Sequence, residues 1–205
     1  MSRDETTWSS SLGSMPGVSY TPPPGLRRPA TTGRGATPTV SEFEFDGEVH
    51  RSLSWKTRDG STSASPASRH FSNQRGSASS TPDLLHELHE GLAKPGTPSD
   101  YHFAIQHVID ELWRRRKDDP QAISEIEPLC LTDISIVEAY PDSFRSGGSY
   151  YAMTSTRLLV KLYENAGDLD AAVALARRVD AFLNGTGDVG RLEAKQARLA
   201  DEEAL

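Results

Sequence analysis

The stretch TSTRLLVKLYENAGDLDAAVALARRV, Thr154 to Val179, decides the fold. Leu158, Leu159, Leu162 and Tyr163 recur at the three- and four-residue steps that place side chains on one face of a helix. Gly167 tolerates the left-handed conformation in which helices end, and Asp168 is a residue type that caps the helix to come. Beyond it, Leu169, Ala172, Val173, Leu175, Ala176 and Val179 make a second apolar face. Helices joined by so short a turn run antiparallel, and Ala172 and Ala176 let the second approach the first closely. The spacing predicts a helical hairpin.

Upstream, the same reasoning predicts three more helices. Thr81-Pro82-Asp83 reads as a cap, a first-turn proline and a first-turn acid, followed by Leu84, Leu85, Leu88 and Leu92, with an end near Ala93. Lys94-Pro95-Gly96 breaks the chain. Ser99-Asp100 starts a second helix whose stripe is Tyr101, Ala104, Ile105, Val108 and Leu112, ending near Lys117. Asp119-Pro120 opens a third with Ile123, Ile126, Cys130, Ile134 and Val137, and Pro128 on the opposite face. Tyr140-Pro141 and Ser146-Gly147-Gly148-Ser149 turn the chain before the hairpin.

Leu159, Tyr163, Gly167 and Ala172 resemble a tetratricopeptide-type repeat, and Leu159, Val160, Ala166, Gly167, Leu169, Ala172, Leu175 and Val179 resemble the pentatricopeptide pattern nearly as well. The resemblance spans about 154–184. It implies an all-α domain of helical hairpins at 81–184, with the earlier helices as degenerate repeats, 185–205 as linker and capping helix, and Asp188 to Glu203 as that helix. The function it implies is that of a non-enzymatic protein-binding scaffold. The alternative is a short pentatricopeptide-like RNA-binding protein. Carried over position by position, the partner-facing residues are Thr154, Arg157, Lys161, Glu164 and Asn165. Arg157 and Lys161 share a face and suit the carboxylates of an acidic peptide or helix; a solvated helix surface is the plainer reading of the same charges.

Residues 1–80 contrast with this. They hold 26 Ser/Thr but only 9 Leu, Ile, Val and Phe, whereas the remaining 125 residues hold 31 of those four, so only the second part is expected to bury a core. The first 80 residues read as a disordered arm. Within 41–56, Phe43 and Phe45, then Asp46-Gly47, then Val49, Leu53 and Trp55 fit either a short hairpin or a motif that orders on a partner. Six of the arm's eight arginines precede a hydroxyl by three positions, which makes Thr6, Thr31, Thr37, Ser54, Ser61 and Ser72 candidates for kinases that prefer an upstream basic residue. Each phosphate would add about −1.5 to −2 charge.

Net charge is −7, which argues against phosphate-backbone binding as the main task. No stretch approaches the about 20 apolar residues of a membrane helix. The start of the chain does not read as a signal or transit peptide, and the single Cys130 excludes an internal disulfide, so a cytoplasmic location is expected. Catalytic, cofactor and metal sites are not expected. Gly185, Gly187 and Gly190 spell G-x-G-x-x-G, but a dinucleotide loop needs a preceding parallel strand, so a helix end and linker is the simpler reading. His86 and His89 are three apart, where zincins need four, and His102 and His107 read as polar-face residues. Arg114-Arg115-Arg116-Lys117 complements the carbonyl end of its helix, with Trp113 packed under arginine stems.

Overall fold

The computed structural model describes residues 10–24, 26, 37–45, 47–74, 80–146, 149–150, 153–183 and 188–203. Among them the chain is mostly helical: α1 Pro66–Gln74, α2 Thr81–Leu92, α3 Pro98–Arg115, α4 Pro120–Ala139, α5 Thr154–Ala166, α6 Leu169–Leu183 and α7 Asp188–Glu203. A three-stranded antiparallel sheet precedes the helices, with β1 Thr39–Phe45, β2 Glu48–Thr57 and β3 Gly60–Thr62 in the order β1-β2-β3. A two-residue pair, β4 Arg145–Ser146 and β5 Ser149–Tyr150, lies between α4 and α5.

Helix starts are set by side chains that satisfy otherwise orphaned amides. Ser80 caps α2, one residue earlier than the spacing predicts; its Oγ accepts from the Asp83 amide at 3.2 Å. Thr97 rather than Ser99 caps α3. The Asp100 amide donates to Thr97 Oγ1 at 3.3 Å and the Thr97 amide to Asp100 Oδ2 at 2.8 Å, a reciprocal box that fixes the entry of the chain. Asp119 caps α4 by accepting from the Gln121 amide at 3.0 Å. At the end of α5, Gly167 takes φ +81°, and the Asp168 amide closes the turn on the Tyr163 carbonyl at 2.9 Å. Asp168 then accepts from the Ala171 amide at 3.0 Å and starts α6.

Side-chain contacts fix the direction of two neighbouring helix pairs. Asp133 of α4 meets Ser155 of α5 while Glu127 meets Tyr163, so these two run antiparallel. Arg177 of α6 meets Glu193 of α7 and Asp170 meets Gln196, again antiparallel. α4 lies at the centre. Every residue from Thr132 to Val137 is buried, because α3, α5 and α6 pack around it. Pro128 sits on its exposed side, where the missing amide costs least.

The expectation that residues after 81 alone supply the core does not hold. Leu12, Met15, Trp55 and Ala67 are buried. A 3-10 turn at Leu12–Ser14 lays residues 10–20 over the α2–α3 loop: the Gly96 amide donates to the Ser10 carbonyl at 3.0 Å, and the Tyr101 hydroxyl bonds to the carbonyls of Ser10 and Lys94. Composition averaged over 80 residues hides a few large side chains at the right places. The helix α1 is likewise outside the sequence expectation. Ala67 donates its amide to the Pro95 carbonyl at 3.0 Å, and Phe71 packs over Gly91, where a methyl group would stand 2.1 Å from the ring.

At 41–56 the strand pair is present. Phe43 lies opposite His50 and Val40 opposite Leu53, with Gly47 at φ +77° in the turn. Trp55, at the base, is buried; Val40, near the base, and Phe43 and Val49, toward the tip, are exposed.

Candidate functional site

The residues expected to face a partner all lie on or beside one side of α5. Arg157, Lys161 and Asn165 are exposed, and Thr154, at the first turn, is half-buried. Glu164 has a different role. Arg191 Nη1 lies 3.0 Å from its carboxylate and Lys195 Nζ 2.7 Å, so α7 binds this end of the face within the chain. These two cations, Lys195 first, hold the Glu164 carboxyl below the usual carboxylate range. Leu192, fully buried, anchors the same helix.

The neighbouring cations are matched in the same way. Arg177 pairs with Glu193 at 2.6 Å, Arg178 with Glu138 at 2.5 Å, and Arg198 with Glu202 at 3.8 Å. On α5, α6 and α7, Arg157 and Lys161 are therefore the cations that have no carboxylate partner among the described residues.

A polar node lies beneath this surface. His102 Nδ1 is 2.6 Å from Asp133 Oδ1, and Ser155 Oγ donates to Asp133 Oδ2 at 2.5 Å, tying α3, α4 and α5 together. His102, Asp133 and Ser155 are 1%, 0% and 0% exposed. His102 is thus a core residue and not the polar-face residue the spacing predicts; its ring lies between Phe103 and Phe144, 5.0 and 4.6 Å centroid to centroid. The residue types are those of a hydrolase triad, but the order is wrong. A nucleophile must give its proton to an imidazole, whereas here the serine donates to the carboxylate and the histidine sits on its far side. The node is built to join helices. The sequence did carry a signal: Asp133 stands as the one ionisable acid in the mostly apolar stretch from Leu129 to Val137, and an acid buried there requires a partner.

Cys130 is buried one turn away. Burial first, then Asp133 and Glu127, push its thiol far above the ordinary range, away from nucleophilic chemistry. His86 lies 3.5 Å from Glu90, and His89 Nδ1 is 2.8 Å from the Tyr20 hydroxyl. Among the described residues no group of three or more His, Cys, Asp or Glu is arranged for a metal ion, and no helix is long and apolar enough to cross a membrane. Gly190 lies inside α7, while Gly185 and Gly187 fall outside the described residues. Arg116 stacks over Trp113 at 3.7 Å, and Arg114 and Arg115 both pair with Glu111. Of the phosphorylation candidates, Thr37, Ser61 and Ser72 are exposed, Ser54 is half-buried in β2, and Thr6 and Thr31 lie outside the described residues.

A second surface feature escaped the sequence reading. A groove of about 750 Å³ opens between α1, α2 and α3, floored by Phe71, Leu84, Phe103 and Val108 and bounded at one end by Arg114 and Arg115. Its walls come from three helices, one of them unforeseen, which is why no linear motif marks it. Comparison of the chain with protein-family models, with curated proteins and with solved structures finds no match.

Proposed function

We propose that this chain is a non-enzymatic adaptor whose C-terminal helical stack holds an acidic segment of a partner protein on α5. The observation that carries the reading is the pair Arg157 and Lys161: two exposed cations one turn apart, unmatched on a stack where the other described cations of α5 to α7 are matched. In a chain of net charge −7, an unmatched cationic pair favours carboxylates over a polyanionic backbone.

The tetratricopeptide-type resemblance supports the same reading. The stack alternates α3/α4, α5/α6 and α7, and α7 begins at Asp188, 34 residues after α5 begins at Thr154, the length of one such repeat. In that arrangement α7 is the cap that closes the apolar side of the hairpin. Phosphorylation at the exposed Thr37, Ser61 or Ser72 would add regulation.

Fluorescence anisotropy with labelled Asp/Glu-rich peptides tests the proposal. Arg157→Glu combined with Lys161→Glu is expected to weaken binding about tenfold or more, since each 1.4 kcal/mol is a factor of ten, with the helical circular dichroism unchanged. Equal affinity in the two proteins would reject the site.

A further inference from the structure

The face that carries Arg157 and Lys161 continues into Glu164, since these residues follow one another at steps of four and three along α5. Glu164 turns that face toward α7, where Arg191 and Lys195 bind it. On α7 the matching stripe is Leu192, Lys195, Leu199 and Glu202, at steps of three, four and three. Its first half is packed: Leu192 is fully buried, and Lys195 reaches Glu164. Its second half overhangs. Gln196 already meets Asp170, the second residue of α6, so the rest of α7 runs past the start of that helix, with Leu199 38% exposed and Asp201 and Glu202 exposed.

Charge at the two ends is set against the helix dipoles. Arg157 stands in the first turn of α5, the positive end, and Asp201-Glu202-Glu203 in the last turn of α7, the negative end. Asp201 has no cation partner among the described residues. Glu202 meets Arg198 only at 3.8 Å, with the side chains 63% and 68% exposed, a pair that contributes little in water. Both ends gain from a counter-charge, yet neither supplies it to the other within one chain. α5 and α7 run in the same direction, because α6 reverses between them. Arg157 lies about two turns before Glu164, and Glu202 about two turns beyond Lys195, which sets the cations and the acids about 20 Å apart.

We propose that the acidic end of α7 in one copy is the segment that Arg157 and Lys161 hold in a second copy. Glu202 meets the two cations, and Leu199 lies along their aliphatic stems. A copy turned end for end sets its cations opposite the acids of the first and its acids opposite the cations. Both contacts then form at once, and the pair closes as a two-fold dimer. The dimer rests on the reading of α5 as a holder of acidic segments, and names that segment as the chain's own.

Sedimentation velocity of the full chain at low salt, from low micromolar to several hundred micromolar, tests this directly. The expected result is reversible association to two chains, weakened about tenfold or more by Leu199→Ser and by added salt. Charge exchange gives the decisive arm. Asp201→Lys with Glu202→Lys makes both ends cationic, and Arg157→Glu with Lys161→Glu makes both acidic, so each doubly substituted chain should stay single while an equimolar mixture of the two dimerises. That rescue also shows that both variants fold. A wild-type chain that stays single throughout, assembly that grows beyond two chains, association indifferent to either double substitution, or a mixture that fails to dimerise would each overturn the dimer. Anisotropy with the Asp/Glu-rich peptides separates it from the reading beneath. A chain that stays single but binds the peptide through Arg157 and Lys161 removes the dimer alone, and a chain that neither binds the peptide nor associates removes both.

Discussion

Asp133 is the residue on which three helices depend. Its two carboxylate oxygens accept from His102 and Ser155 inside a core where neither has water to turn to. Removing it leaves a buried imidazole and a buried hydroxyl unsatisfied together, the situation in which deletion costs more than the bonds themselves were worth. Asp133→Ala is expected to destabilise the fold by about 3 kcal/mol, and Ser155→Ala by about 1 kcal/mol, because one carboxylate oxygen keeps its partner. Chemical denaturation measures both; equal losses would show that the carboxylate is not the hub. Why the sequence concealed the node is plain. Helical spacing assigns His102 to a side of α3, but the depth at which that side lies depends on what packs over it, here Phe144 from the segment after α4.

At the scale of elements, boundaries followed from local chemistry and contacts did not. Ser80, Thr97, Asp119 and Gly167 act on amides within a few residues of themselves, so caps and turns were legible to within one or two positions. α1 was not, because the nine residues from Pro66 to Gln74 have no continuous apolar stripe and form a helix against Gly91 and Gly96. The glycines make the contact. A Cβ on Gly91 would lie 2.1 Å from Phe71 Cε1, and one on Gly96 would lie 2.7 Å from the Ala67 methyl. Gly91→Ala should therefore dislodge α1 although alanine favours helix, with a net loss of about 1–3 kcal/mol as for other overpacked contacts. Hydrogen exchange at α1 amides checks this. Protection unchanged from wild type would mean that Phe71 has another place to go.

For the whole molecule, the question is what keeps α7 on the stack. Leu192 supplies the apolar anchor, and Glu164 supplies a carboxylate bound by Arg191 and Lys195. The folded pKa of Glu164 is depressed, chiefly by Lys195 and then by Arg191. Its contribution is accordingly complete above the unfolded value of about 4.3 and is lost as pH falls through the lower folded value. Acidification from about pH 5 to about pH 3 should loosen α7 before the core. Glu164→Gln should cost about 1 kcal/mol near neutral pH and flatten that acid response, read as exchange protection along α7. The same slope in both proteins would assign the acid sensitivity to other carboxylates.

By itself the sequence determined the local features: the helical periods, the caps, the Gly167 turn and the Gly47 turn of the ribbon, because each rests on interactions between residues a few positions apart. It also marked Arg157 and Lys161 as neighbours on one helical face. Tertiary structure alone decided that His102 is buried against Asp133, that Glu164 belongs to α7, that Leu12 and Trp55 join the core, and that α1, α2 and α3 enclose a groove. Those outcomes depend on which distant surfaces meet, and burial, charge pairing and cavity shape are properties of the meeting rather than of either surface alone.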